Sequence, residues 1–456
     1  MKAVTEFLSS NLNKKRVEHL LFALLIFLLP TQLGKHFWPD FSYIQGIRVD
    51  YLSPTIYVTD LIIIVLFFMW GAAQTTRLKN LSFQKVFFNK RKAVLLVVAC
   101  YLLFNVILSS HIQTGVYTLL KIFEFLFLGF YIATTVKTER QLFIGIVVFG
   151  ASMIGQMILA LGQFSTHGSL GGVFYFFGER NFNAITPGIA NASVSGELIL
   201  RPYGTFPHPN VLAGYLLCFL LSMTFLLLRK QRLLLRLFTI VGFGLGIVTL
   251  GLTLSRIAVV LGALYLLAGF AVSVLTKNKK SANRTLLWTW LIGGGVACVV
   301  FVLSPLGARL LQTNLGEESL VNREQLGFSA WQLFLQHPLV GVGLGNFLQS
   351  IAEMQKPLSL TQYLQPVHNI YLFVAAEGGI IGLLFFVWFL GRTTRQVIVS
   401  YKNGKGNRSI YGLCAMMLFT LLVIGLFDHY LLTLQQGQLL FSVVLGLCWT
   451  SVTNES

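Results

Sequence analysis

Charge is what this chain has least of: Asp, Glu, Lys and Arg make up 11% of its 456 residues, against 55% hydrophobic and 13% aromatic. A soluble protein carries roughly a quarter of its residues as charges, so a water-exposed globule is excluded and an integral membrane protein is implied. Acidic residues are the scarcest, 16 Asp and Glu against 34 Lys and Arg, for a formal charge of +18. Cysteine is nearly absent as chemistry. Cys100, Cys218, Cys298, Cys414 and Cys448 lie in apolar runs without CxxC or metal-ligand spacing, and read as small apolar fillers rather than disulfides or ligands.

What is abundant is apolar sequence in runs of roughly 17–25 residues, each long enough as a helix to cross a hydrocarbon core of about 30 Å. Spans are predicted near 19–33, 55–74, 93–110, 114–135, 142–163, 209–228, 236–253, 256–276, 285–305, 367–391, 410–427 and 434–452. The expected fold is all-α: one polytopic membrane domain over 1–456, with about twelve transmembrane helices. The first run is short and ends at Pro30, but TQLGKHFWPD after it is no small-residue cleavage site, so it reads as a span and not a signal peptide.

Lys and Arg gather in short connections at alternate span ends: KKR at 14–16, RLKNLSFQKVFFNKRK at 77–92, VKTER at 136–140, RKQRLLLR at 229–236, KNKKSANR at 277–284 and GRTTRQVIVSYKNGKGNR at 391–408. By the positive-inside rule these face the cytoplasm, and both termini with them. Spans separate the basic segments and no base-stacking aromatics interleave them, which argues against nucleic acid as a partner.

The connections on the other side, 34–54, 164–208 and 306–366, are long and hold most of the acidic residues, which places the working face outward. Seven of the eight histidines map there: His36, His111, His167, His208, His337, His368 and His429. Arginine is rare on this side, so Arg201 in LRPYGTFPHPNVLAGYL and Arg256 in GLTLSRIAVVLGAL stand out. A charge at a membrane edge is costly unless it is paired or lines a wet cavity. Two readings follow. Each Arg snorkels to headgroups or pairs with a carboxylate, or each serves as an anion clamp, since guanidinium matches phosphate oxygens bidentately and keeps its charge. His208 stands between Pro207 and Pro209, and Asn210 reads as an N-cap, so Arg201, His208 and this helix start can share one phosphate; a rigid turn alone is the other reading.

In the loop 306–366, Leu320, Leu326, Trp331, Phe334 and Leu335 roughly follow helical spacing and predict an amphipathic helix on the outer membrane surface. GVGLGNF at 341–347 has neither a preceding strand nor a following GK[ST], so it reads as a flexible turn and not a phosphate loop. PVHNIYLFVAAEGGIIG at 366–382 opens the tenth span. His368 is expected in its first turn, on a face with Tyr371, Leu372 and Ala375. Glu377, nine residues on, is roughly 180° around that helix and has no assigned role. Ala375, Gly378, Gly379 and Gly382 make small-xxx-small pairs that admit a neighbouring helix.

RPYGTFPHPN with the span after it, LTLSR, HPLVGVGLGNF and HNIYLFVAAEGGIIG together resemble the O-antigen ligase and polymerase superfamily over roughly 200–440. The last element matches that family's His-Asn, nine residues, Gly pattern as His368, Asn369 and Gly379. The resemblance implies a twelve-helix glycosyltransferase with a large periplasmic loop, inverting and metal-independent, with no cofactor. It implies a polyprenyl (undecaprenyl) diphosphate-linked glycan as donor and a glycan, lipid or protein hydroxyl as acceptor, within cell-envelope polysaccharide or lipopolysaccharide biosynthesis. Carried over by residue, it makes His368 the catalytic base, Arg201 and Arg256 the diphosphate ligands, and His208 a further substrate-binding residue. A sugar hydroxyl needs a base, and a leaving diphosphate needs charge neutralisation more than a proton.

Other readings stay open. A metal-dependent lipid-linked glycosyltransferase would use Asp40 and Asp50 in the first outer loop, although Arg48 offers Asp50 a salt bridge. A transporter or flippase also has twelve spans, but no internal repeat is visible and the ionisable residues are expected at one membrane face, not the midplane. His429, beside Asp428, is a second base candidate. The stretch with Glu179, Arg180 and Glu197 can shape a sugar site but has no assigned role, and nothing separates ligation to a lipid core from polymerisation or transfer to protein.

Overall fold

Backbone groups in hydrocarbon must be satisfied within their own segment, so the apolar runs fold as helices and strands are confined to the connections. The computed structural model describes residues 11–73, 90–194, 197–275, 293–299, 302, 307, 318–354, 364–404 and 407–452. In chain order these form α1 (Asn11–Leu28), β1 (Gly34–His36), β2 (Tyr43–Ile44), β3 (Ile47–Arg48), β4 (Thr55–Tyr57), α2 (Val58–Ala73), α3 (Lys90–Leu108), α4 (Ile112–Thr135) and α5 (Glu139–Thr166). Then follow β5 (Asn191–Val194), β6 (Glu197–Leu200), α6 (Pro209–Leu227), α7 (Leu233–Leu252), α8 (Arg256–Leu275), α9 (Glu318–Gln336), α10 (Phe347–Met354), α11 (Ile370–Asn403), α12 (Arg408–Ile424), α13 (Tyr430–Thr433) and α14 (Gln435–Cys448). The strands form antiparallel pairs, β1 with β4, β2 with β3 and β5 with β6.

Among the described residues α4, α5, α6, α7 and α11 are long and apolar enough to cross a membrane, and α2, α3, α8, α12 and α14 are shorter apolar helices. The expected ninth span, 285–305, falls mostly outside the described residues. The chain divides into two compact units: Met1–Leu29, Gly34–Tyr131 and Val321–Arg392 make the first, and Pro30–Leu33, Ile132–Leu320 and Thr393–Ser456 the second.

In the first unit the 34–54 connection shares a core with α9 and α10. Leu326, Ala330 and Leu333 of α9 pack with Phe347, Leu348 and Ile351 of α10 and with Ile44, Val49 and Leu52. This corrects the helical face expected for 320–335. The buried stripe is Leu326, Ala330 and Leu333, at i, i+4 and i+7, while Trp331 and Leu335 are exposed on other sides of α9. GVGLGNF is likewise a pinned segment and not a free turn. It docks on a break in α11 at Gly379, whose φ is 57° and ψ −165°. The break frees the Ala376 and Glu377 carbonyls, which accept Val342 N–H at 2.9 Å and Gly343 N–H at 3.0 Å. It also frees the Ile380 and Ile381 amides, which donate to Pro338 O at 2.8 Å and Leu339 O at 3.3 Å. Four orphaned backbone groups thus meet four partners from one loop.

Three ionisable residues meet between two apolar helices. Lys121 of α4 stands 2.5 Å from Asp60 Oδ2 of α2 and 3.0 Å from Glu124 Oε2, all three side chains nearly buried. In the second unit α6 is central and almost entirely buried, packed against α5, α7, α8, α12 and α14.

Candidate functional site

The segment RPYGTFPHPN enters α6 in the second unit, and two glutamines of the fifth span hold it. Gln163 accepts the Tyr203 and Gly204 amides at 3.0 and 2.8 Å and donates to Glu179 Oε1 at 2.8 Å and Gly204 O at 2.9 Å. Two helical turns earlier, Gln156 accepts the Thr205 amide at 2.8 Å. Gly204 has a φ of 60°, and a Cβ there would lie 2.7 Å from the Gln156 Oε1 atom, so this turn requires glycine. Glu179 has a structural part to play: its carboxylate accepts the Leu170 and Gly171 amides, both at 2.8 Å, and folds the loop after α5 back on that helix. Phe182, Leu200 and Tyr203 give that loop a small core. Arg180 lies 5.3 Å over the Tyr203 ring, and burial pushes the Tyr203 phenol above its usual pKa, keeping it neutral there.

Strand β6 delivers Arg201, which is buried, and its guanidinium is fixed at two points. Nε donates to Thr253 O at 2.7 Å, and a terminal nitrogen donates to Asn210 Oδ1 at 2.6 Å. Asn210 in turn donates from Nδ2 to Asp428 Oδ2 at 2.7 Å, so one amide links a buried cation to a buried anion. The N-cap of α6 is His208 and not Asn210. Pro209 takes the first helical position, where its missing N–H is no loss, and His208 Nδ1 accepts the Asn210 amide at 3.1 Å. That bond puts the proton of the neutral ring on Nε2.

Thr253 and Arg256 belong to the tight turn between α7 and α8. Leu254 there has a φ of 50° and is buried against Ala192 and Ile199 of the β5–β6 hairpin, with Val259 beside it. The hairpin therefore clasps the turn whose carbonyl holds Arg201, and Arg256 opens α8, partly buried. Asp428 Oδ1 accepts the backbone N–H of His429 at 2.8 Å, while the His429 ring faces Thr433 Oγ1 at 2.6 Å. The carboxylate thus holds the His429 backbone, and Thr433 orients its imidazole.

His368 belongs to the first unit. It lies outside α11, one residue before the N-cap, and not in the first turn as its sequence suggests. Asn369 is the cap: its Oδ1 accepts the Tyr371 and Leu372 amides at 2.9 and 3.0 Å. His368 is partly buried and free of helical geometry, so the face shared with Tyr371 and Ala375 does not describe it. Glu377 now has a place. Fully buried, its Oε1 accepts the Phe347 amide at 3.2 Å, at the start of α10, where a carboxylate meets the positive end of a helix. The small-xxx-small face receives Tyr101 of α3, whose hydroxyl donates to Gly378 O and lies against Gly382.

Asp40 and Asp50 each open a one-turn 3-10 helix, Asp40–Ser42 and Asp50–Leu52, an ordinary place for an acid. Nearby, burial lowers the His36 imidazole pKa, an effect Asp50 opposes and Arg48 reinforces.

Arg201, His208, Arg256, Asp428 and His429 therefore stand in the second unit, the first four around the start of α6 and the α7–α8 turn, and His368 stands in the first. Sequence reasoning missed Gln156, Gln163 and the linking role of Asn210. Their signal was two amides seven residues apart in an apolar span, and an amide at a helix start preceded by Pro.

No curated protein matches the chain. Residues 241–387, which include Arg256 and His368, match the family model described as O-antigen ligase. Over those residues, about a third of the sequence, this multi-pass helical chain is similar to the O-antigen ligase family.

Proposed function

We propose that this protein is an inverting glycosyltransferase that moves a glycan from a polyprenyl diphosphate carrier to an acceptor hydroxyl at the outer face of the cytoplasmic membrane, in cell-envelope polysaccharide assembly. The observation that carries the reading is the O-antigen ligase match, which holds both Arg256 and His368. His368 is the base. An imidazole titrating near pH 6.5 takes the acceptor proton as the hydroxyl oxygen attacks the anomeric carbon, and the bond to the diphosphate breaks on the opposite face. Arg201 and Arg256 neutralise the charge that develops on the leaving diphosphate. The two bonds of Arg201, to Thr253 O and Asn210, support this role because a guanidinium fixed in advance needs no reorganisation. His208, with its proton on Nε2, is a hydrogen-bond donor to the same group. This chemistry calls for no metal, so transfer persists in chelator.

The roles separate in kinetics. His368→Ala lowers turnover by about 10²–10⁴-fold while leaving donor binding near the wild-type value. Arg256→Ala weakens donor binding as well. Wild-type turnover in His368→Ala defeats the assignment of the base.

A further inference from the structure

The loop after α5 carries LGGVFYFFG at 170–178, a stretch without a charged residue in which the Tyr175 hydroxyl is the only polar side-chain group. Gly172–Phe177 form two turns of 3-10 helix with no buried residue. Val173, Tyr175, Phe176 and Phe177 are between 54% and 73% exposed. On a loop, where water-facing residues are ordinarily polar, such a patch marks a contact with something apolar.

The tip is held in shape. At its base the Glu179 carboxylate takes the Leu170 and Gly171 amides, and Gln163 of α5 donates to that carboxylate. Glu179 N–H donates to Phe174 O and Gly178 N–H to Tyr175 O, both at 3.0 Å, and Thr31 Oγ1 donates to Phe177 O at 2.8 Å. Gly178 has a φ of 99°, and a Cβ there would lie 2.6 Å from Thr31 Oγ1, so the turn closes only with glycine. These bonds meet polar backbone groups of the turn from within the protein, which lowers the cost of taking it out of water.

The loop also doubles back along its helix. A Cβ on Gly162 would lie 2.6 Å from Leu170 Cδ1, so Leu170 rests on α5 about one turn before the helix ends. α5 is long and apolar enough to cross a membrane, and the span expected from the sequence closes at 163. The apolar tip therefore starts at the level where the hydrocarbon ends.

We propose that Val173, Tyr175, Phe176 and Phe177 seat in the interfacial layer of the leaflet at the C-terminal end of α5, making this loop a lipid-binding anchor. Aromatic side chains favour that layer, where an apolar ring lies in the acyl region and a polar group reaches water. With no cation at the tip, the partner is the boundary between headgroup and acyl chain and not an anionic headgroup. A glycan is the poorer match, because its many hydroxyls would meet a single hydroxyl here. Gln163 also accepts the Tyr203 and Gly204 amides, so a seated tip fixes the level of the segment that carries Arg201. This anchoring does not depend on transferase chemistry.

The test uses the full chain in phosphatidylcholine nanodiscs, with the fluorescent residue acridonylalanine replacing the exposed Phe176 and an unchanged melting curve as the check on folding. The lipid is brominated near the glycerol end of its acyl chains; a seat roughly 5–10 Å into the headgroup and acyl boundary puts the label beside those bromines, and emission falls about twofold. Bromines at the chain ends quench much less, and aqueous iodide quenches little. Adding Val173→Asp and Phe177→Asp to the labelled chain raises quenching by iodide and lowers quenching by the lipid, because carboxylates resist that layer. Quenching by iodide without quenching by brominated lipid places the tip in water and overturns the proposal. Shielding from both also overturns it, since a protein surface, a second copy included, then covers the tip.

Discussion

Asn210 shows how much of the site turns on one side chain. Its amide oxygen accepts from Arg201 and its amide nitrogen donates to Asp428, so one side chain bridges two buried charges. Among similar-sized side chains Asn can do both; Asp turns a second carboxylate on Asp428, and Leu offers neither bond. Hydrogen bonds to charged groups contribute about 1.5–3 kcal/mol each, so Asn210→Leu is expected to lower the melting temperature clearly in detergent, and Asn210→Asp to do so most at neutral pH. A wild-type melting curve for Asn210→Leu contradicts the linking role. The sequence singles out Arg201, His208, Arg256 and His368 as candidates by residue type, but Asn210 was legible only as a cap. Its two partners lie nine residues before it and 218 residues after it, and no local pattern encodes that pairing.

Among the elements, α11 departs furthest from a regular helix. The sequence reading took 367–391 as an unbroken helix and so placed Glu377 by angular arithmetic, which fails because α11 begins after His368 and breaks at Gly379. The backbone at Gly379 is a conformation that side chains resist, and a Cβ there would lie 2.3 Å from the Leu339 carbonyl carbon. Gly379→Ala is therefore expected to cost at least 1–3 kcal/mol, roughly the range for such strain, and to release the 338–347 segment to protease. Protection equal to wild type contradicts the docked loop. The Lys121 cluster belongs to the same scale. Lys121→Met leaves Asp60 and Glu124 buried together without their cation and is expected to cost about 3–5 kcal/mol, whereas replacing all three by apolar residues restores stability toward wild type. Thermal melts of the two variants check the order. Hydropathy hid this cluster because three ionisable residues spread over two spans barely change a window average.

At the scale of the whole molecule, the apolar runs made the helical membrane architecture legible, and motifs such as LTLSR and HNIYLFVAAEGGIIG carried the resemblance that the match over 241–387 repeats. The long connections were less so. Their order comes from contacts between distant segments, as when α9 and α10 share a core with Ile44, Val49 and Leu52, and short polar stretches carry little sign of such pairing. The central claim is transfer, and one measurement addresses it: purified protein in micelles, a polyprenyl-diphosphate glycan, candidate lipid-core, polysaccharide and peptide acceptors, and the products identified by mass. The account predicts an acceptor heavier by the glycan, with inverted anomeric configuration, and free polyprenyl diphosphate in equal amount. Recovery of intact donor, with no acceptor gaining mass although donor binds, contradicts it.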